Sequence, residues 1–459
     1  MNNIDTIIKN AKVFRCGTFI QADIGIKDGK IVFISNKGQI NAEDYIDADG
    51  LIALPGLIDS HAHFRDPGYT HKEDFETGTR AAAAGGVTTV FDMPNVNPTV
   101  NSAERLIEHK KMASKKALID FGHWVGPPAS LEEIKDIIHE GAIGIKVFQI
   151  KDTKRSYPHM PSLGITDDGH LLEICRAVAE VGCILAVHPH NQELMEHIEN
   201  NYFFNKGLTG PEDYAKARSY FENIIVDTAV ATLVQMARVS GARIHLLHTA
   251  SKESVKLIVD AKKRGLKITG EVNPAHIFLS WQDIKRIGPY ALGRGVSEDD
   301  ARCTWEALVD GSLDLIATDH APHTKDEKEI GWKNMWKAPG GPTSIQDYLS
   351  LLLTEVNKGK IKLERVVELC STRPAKLFRL YPKKGTIEVG SDADIVLVDL
   401  SKEKTIKSEE TYSKCGWTSY DGRKVKGVPL YTIVRGKIVM KNGKVIGQPG
   451  YGEFVSPLS

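Results

Sequence analysis

Two histidines spaced as His61-Ala62-His63 form a pair suited to holding a metal ion. In a β-strand, residues i and i+2 point to the same face, so both imidazoles can face one ion. Taken alone, the pair also fits two half-buried polar side chains. Further along the chain, short apolar runs end in His188 (AVHPHN), His248 (LLHTAS) and Asp319 (ATDHAPH). Each has a plainer reading: a hydrogen-bonded core histidine for the first two, a helix N-cap for the aspartate. Lys146 lies inside the apolar run GIKVF, where a lysine is costly unless it is paired or modified. The plain readings fail jointly, because the same coincidence would have to recur on five separate strands.

The elements that carry these residues alternate. Apolar runs LPGLIDSHAHF, TTVFDMPN, ALIDFGHWV, AIGIKVF, ILAVHPHN, RIHLLHTA, KITGEVNPA and DLIATDHA are separated by loops and helical stretches such as EDFETGTRAAAAG, GHLLEICRAVAEVG and SKESVKLIVDAKKRG. Apolar strands alternating with helices imply a parallel sheet covered on both faces. Eight units imply an α/β fold of the closed (β/α)₈ barrel type, whose chemistry sits at the C-terminal strand ends. Nearly every run here starts apolar and ends in His, Asn, Lys or Asp. Both chain ends instead read as short alternating strands with tight turns, such as FIQADIGIKDGKIVFIS and YTIVRGKIVMKNGKVIG. The expected division is residues 1–52 and 385–459 building one composite β-sandwich, with the barrel at 53–384 inserted between its halves.

With 459 residues the chain is too long for one ordinary core. Lys plus Arg and Asp plus Glu each total 59, so zero net charge gives no general attraction to nucleic acid or to an acidic membrane. The six cysteines form no CxxC pair, which fits a reducing compartment better than a disulfide scaffold. No signal-peptide pattern or bilayer-length apolar run is present. The expectation is a cytoplasmic protein without nucleic-acid or membrane partners.

HxH, then lysine on the fourth strand, histidines on the fifth and sixth and aspartate on the eighth, resembles the amidohydrolase superfamily. Within it, DSHAHFRDPG, AAAAGGVTTVFDMPN and ATDHAPHT resemble the dihydroorotase, hydantoinase and allantoinase group, nearest to dihydroorotase. The resemblance covers almost the whole chain. It implies two divalent ions, of the zinc kind, bridged by a carbamylated Lys146. His61, His63 and Asp319 would hold one ion, His188 and His248 the other, and Asp319 would also shuttle the proton. It further implies a cyclic ureide as substrate, a homo-oligomer (dimer or tetramer), and a carbamoyltransferase as a candidate partner.

Dihydroorotases grip the substrate carboxylate with an Arg two residues past HxH, an Asn after Met-Pro and a His four past the Asp. Here these are Arg65, Asn95 and His323. Arg65 has an alternative in a salt bridge to Asp66 or Glu73, and Asn95 one as a turn residue. The chain departs from the family pattern in LGRGVSEDD (292–300), in His188-Pro189-His190-Asn191 and in NPAH at the seventh strand. These positions usually touch the ring, so hydantoinase, dihydropyrimidinase and allantoinase activities stay open beside dihydroorotase. A non-catalytic scaffold is the alternative of another kind, disfavoured by the complete metal set. The segment bearing Trp332 and Trp336 reads as a packed surface loop, with a mobile lid as the alternative.

Overall fold

The computed structural model describes residues 4–35, 41–151, 163–218, 221, 223–291 and 296–458. Five strands open the chain: β1 (Ile4–Arg15), β2 (Thr18–Lys27), β3 (Lys30–Ser35), β4 (Ala42–Asp47) and β5 (Ile52–Pro55). Eight follow in the middle: β6 (Leu57–Ala62), β7 (Val87–Asp92), β8 (Asp120–Val125), β9 (Gly144–Phe148), β10 (Ile184–His188), β11 (Arg243–Leu246), β12 (Ile268–Val272) and β13 (Leu315–Ile316). Four close it: β14 (Ile395–Thr405), β15 (Lys424–Val434), β16 (Lys437–Lys441) and β17 (Lys444–Val445).

Strands β6 to β13 pair in sequence order, all parallel, as the eight apolar runs require. The barrel closes between first and last strands largely through side chains. Asp59 Oδ1 accepts from Thr318 N at 2.9 Å, its Oδ2 from Thr318 Oγ1 at 2.5 Å, and His63 N donates to His320 O at 2.7 Å. This explains why β13 spans only two residues where the sequence suggests a longer strand: beyond Ile316 the Asp59 carboxylate replaces most of the ladder. Helices cover the outside. The helix Phe75–Ala84 starts at a capping box made by Asp74 and Thr77 and stops at Gly85, where a Cβ would lie 2.2 Å from Ile345 O.

The two chain ends form one mixed sheet in the order β17-β16-β15-β14-β5-β1-β2-β3, with β4 on β1. Ile8, Val13, Ile24 and Ile31 share a core with Ile395, Leu397 and Ile433, so both ends contribute to one unit. Barrel and sheet are joined by a buried ionic knot. Lys384 Nζ lies 2.7 Å from Asp120 of β8, 3.1 Å from Asp392 and 2.5 Å from Asp394, and Arg435 reaches Asp120 at 2.8 Å.

Candidate metal centre

The site stands at the C-terminal ends of the barrel strands. His61 is the penultimate residue of β6, and His63 follows its end. Lys146 lies within β9, paired with Ala186 of β10, whose last residue is His188. His248 comes two residues after β11 and Asp319 three after β13, both in left-handed backbone (φ 39° and 49°). The expectation of strand-borne ligands therefore holds for His61, Lys146 and His188. The other three sit in the turns that leave the barrel. Arg65 (φ 60°) is likewise turned by the backbone after β6, so strand alternation is not what aims it.

Hydrogen bonds behind the imidazoles decide what faces the mouth. His61 Nδ1 lies 2.5 Å from Glu271 Oε1, and His63 Nδ1 lies 2.7 Å from Asn95 Oδ1. Both partners accept, so both Nδ1 atoms carry the proton, and in the neutral rings each Nε2 holds a lone pair. Those lone pairs face a carboxylate oxygen: Asp319 Oδ1 is 3.2 Å from His61 Nε2 and 3.3 Å from His63 Nε2. Three electron-rich atoms at such distances need a cation between them. Tetrahedral ligands about 2.0–2.1 Å from zinc stand about 3.3 Å apart, so the spacing fits a metal.

The charges agree. Burial pushes Asp319 up, but His61 and His63 together hold it well below the carboxylate range. Burial pulls His61 down, yet Asp319 and Glu271 raise it, while burial lowers His63 to about 4. The trio attracts one positive charge, and a proton on His61 is the weakest cation that serves.

A second pair stands beside it. His248 Nε2 and His188 Nδ1 are 2.6 Å apart, and the rings of His61 and His248 have centroids 5.9 Å apart. Lys146 is wholly buried, and its Nζ has no hydrogen-bond partner among the described residues. Burial brings its pKa down to about 7, so the neutral amine is abundant at physiological pH.

The remaining candidates sort into two groups. Arg65 and His323 meet, NH2 to Nε2 at 3.2 Å, and Arg65 Nε donates to Pro322 O at 3.3 Å. Lys72 bonds Glu327 at 2.6 Å and approaches His323 Nδ1 at 3.2 Å. Asn95 instead turns its oxygen to His63. In the divergent segments, His190 stacks on His188 (4.6 Å, 11°) and Asn191 caps the helix Gln192–Ile198, while 292–295 lie outside the described residues. Trp336 is buried and donates to Leu208 O at 3.0 Å, whereas Trp332 is half exposed.

Sequence reading missed Glu271, His245 and Asn273, whose Nδ2 donates to Asp319 Oδ2 at 3.3 Å. The signal was a glutamate inside the apolar strand ITGEV, since a buried carboxylate requires partners. Burial raises Glu271, but His61 and His245 bring it down to about 2. Among the described residues, two other clusters look metal-like by composition alone. Asp120, Asp392 and Asp394 already surround Lys384. His109 and His123, beside Asp92, stack at 3.9 Å and 27°, and rings so nearly parallel cannot aim both lone pairs at one ion.

Comparison with known proteins agrees with this geometry. The model of the amidohydrolase family matches residues 52–439. The chain belongs to that family. An L-hydantoinase of Paenarthrobacter aurescens is 33% identical over 459 residues, covering 98% of each chain. A dihydroorotase of Lactobacillus gasseri is 34% identical over 447 residues, 95% of this chain and 99% of that one. The solved structure of an L-hydantoinase (dihydropyrimidinase) from Arthrobacter aurescens superposes with a TM-score of 0.93 at 32% identity, covering 99% of this chain and 100% of the other. This amidohydrolase thus shares its whole length with relatives of two named activities.

Proposed function

We propose that this chain is a two-metal hydrolase of cyclic ureides, opening or closing the ring C–N amide bond. The observation that carries the proposal is the pair of outward Nε2 atoms of His61 and His63 facing Asp319 Oδ1 at 3.2 and 3.3 Å. His188 and His248 are proposed to hold the second ion. Lys146, buried with no hydrogen-bond partner for its Nζ among the described residues, would condense with carbon dioxide. Its nitrogen would form the new C–N bond with loss of one proton, and the resulting carbamate would offer anionic oxygen for metal binding. Such ions, when bound, polarise the ring carbonyl and lower the pKa of the attacking water.

The chain's own residues do the rest. Asp319 takes the proton of the water that adds to the carbonyl carbon. Asn273 orients its outer oxygen. When the ring C–N bond breaks, Asp319 returns the proton to the leaving nitrogen, so that water is consumed and a ureido acid formed.

Two rings have support. Arg65 and His323, together beside the site, favour a ring bearing a carboxylate such as dihydroorotate, with closure of N-carbamoyl-aspartate as the biosynthetic direction. The internal bonds that already engage Arg65, and the similarity to hydantoinases, favour an uncarboxylated ring such as hydantoin or dihydrouracil. Zinc-loaded protein is to be assayed on dihydroorotate, N-carbamoyl-aspartate, dihydrouracil, hydantoin and allantoin. Turnover of at least one is expected. A protein that binds two ions per chain and turns over none would refute the proposal, and one that holds no ion would be a scaffold.

A further inference from the structure

Behind His61, on the side away from the mouth, runs a closed hydrogen-bond chain of four side chains. His61 Nδ1 meets Glu271 Oε1 at 2.5 Å, Glu271 Oε2 meets His245 Nε2 at 3.2 Å, and His245 Nδ1 meets Thr269 Oγ1 at 2.9 Å. His61, Glu271 and His245 are all buried. The elements impose the contact, because β11 and β12 pair with His245 opposite Thr269, and alternation puts Glu271 on the same face as Thr269.

With an ion rather than a proton on the mouth side of His61, the donor and acceptor inventory is met with both imidazoles neutral. An ionised carboxylate only accepts, so both imidazoles give it an N–H. His245 Nδ1 then holds a lone pair and accepts from the Thr269 hydroxyl. His61 Nε2 holds the other lone pair, aimed at Asp319. In this arrangement the Glu271 carboxylate accepts from both rings and stands behind His61. His63 differs: its Nδ1 proton goes to the neutral amide oxygen of Asn95.

We infer that Glu271 is a positioning residue for the metal centre: it locks His61 in the metal-binding tautomer and places a buried negative charge directly behind that ligand, with His245 holding it in place. The inference rests on the two-metal reading above. Its effect is expected mainly at the ion shared by His61, His63 and Asp319, because His61 is the residue of that trio to which Glu271 is hydrogen-bonded. Removing a hydrogen-bond partner behind a metal ligand typically costs about 10- to 100-fold in affinity.

The test is zinc titration of the metal-free protein against a chromophoric chelator, which requires no substrate. Glu271→Gln keeps the shape and can still accept from His61, but removes the charge. One binding step is expected to weaken about 10- to 100-fold and the other to stay within about 3-fold. His245→Gln, which leaves the carboxylate but loosens it, is expected to weaken the same step less. Both metal-free variants should melt close to the metal-free wild type. Two wild-type-like steps in Glu271→Gln would overturn the inference, as would equal weakening of both steps alongside a fallen metal-free melting temperature, the mark of a packing role. If Glu271→Gln does not fold, unchanged binding by His245→Gln decides against the inference. Wild-type protein that takes up no zinc would instead remove the two-metal reading itself.

Discussion

Replacing Arg65 by methionine separates the two substrate readings. The guanidinium is buried, and burial lowers its pKa to about 10, which still leaves it a cation at pH 7. Its NH2 lies 3.2 Å from His323 and its Nε 3.3 Å from Pro322 O, so the group is held in place by the chain before any substrate arrives. A substrate carboxylate reaching this guanidinium would gain a charge-assisted hydrogen bond worth about 1.5–3 kcal/mol. That corresponds to roughly 10- to 100-fold in kcat/KM. An uncharged ring gains nothing from the cation, and methionine fills much of the same volume. Arg65→Met is therefore expected to lower kcat/KM for dihydroorotate by that factor while changing dihydrouracil or hydantoin by less than about 3-fold. The assay is steady-state hydrolysis of both rings by wild type and variant at matched zinc content. An equal loss on both rings would refute the role of Arg65 as a carboxylate partner. It would mark the residue as a brace for the loop after His63 and give the uncarboxylated ring the stronger case.

Four further outcomes are expected. Asp319→Asn should keep the fold and cost about 100-fold or more in turnover; near-normal turnover with metal bound would mean another group moves the proton. Lys146→Ala should lose most bound metal, measured by elemental analysis, with bicarbonate unable to restore it. In the wild type, reactivation of metal-free, bicarbonate-starved protein should accelerate as pH rises through about 7, where the lowered pKa of Lys146 frees the neutral amine. Lys384→Met leaves the buried Asp394 without its cation, while Asp120 keeps Arg435 and Asp392 keeps Lys30, and should destabilise by about 3–5 kcal/mol in urea unfolding at pH 8. Burial and the neighbouring Asp120 and Asp392 raise the Asp394 pKa even with Lys384 present, so the penalty should shrink as pH falls and that carboxylate takes up a proton.

The barrel was legible because each strand is a continuous apolar run, and covered parallel strands need no other pattern. His61, Lys146 and His188 were legible because a strand's alternation is written in residue order. His248 and Asp319 were found by position, yet the reason they face the mouth was not: a left-handed φ at a non-glycine residue leaves no mark in the sequence. Glu271 and His245 look like polar interruptions of strands until the register sets them side by side. The engagement of Arg65 with His323 depends on the loops that follow the first and last barrel strands, 258 positions apart in sequence. Lys384 lies far in sequence from Asp120, and nothing local pairs them.

The seam between β6 and β13 bears on how metal exchanges. Asp59 and Thr318 are 259 positions apart, and their hydrogen bonds join the ends of that long loop through protein groups alone. Closing a flexible loop of this length costs roughly 5 kcal/mol of chain entropy by the logarithmic relation. His61, His63 and Asp319 straddle the same seam, so an ion there ties together two edges that the carboxylate has already brought into register. The entropic cost of closure does not fall on the metal. A divalent ion held there should then behave as a replaceable rivet, removable by a chelator and reloadable into a standing barrel, with no cycle of unfolding and refolding between the two states.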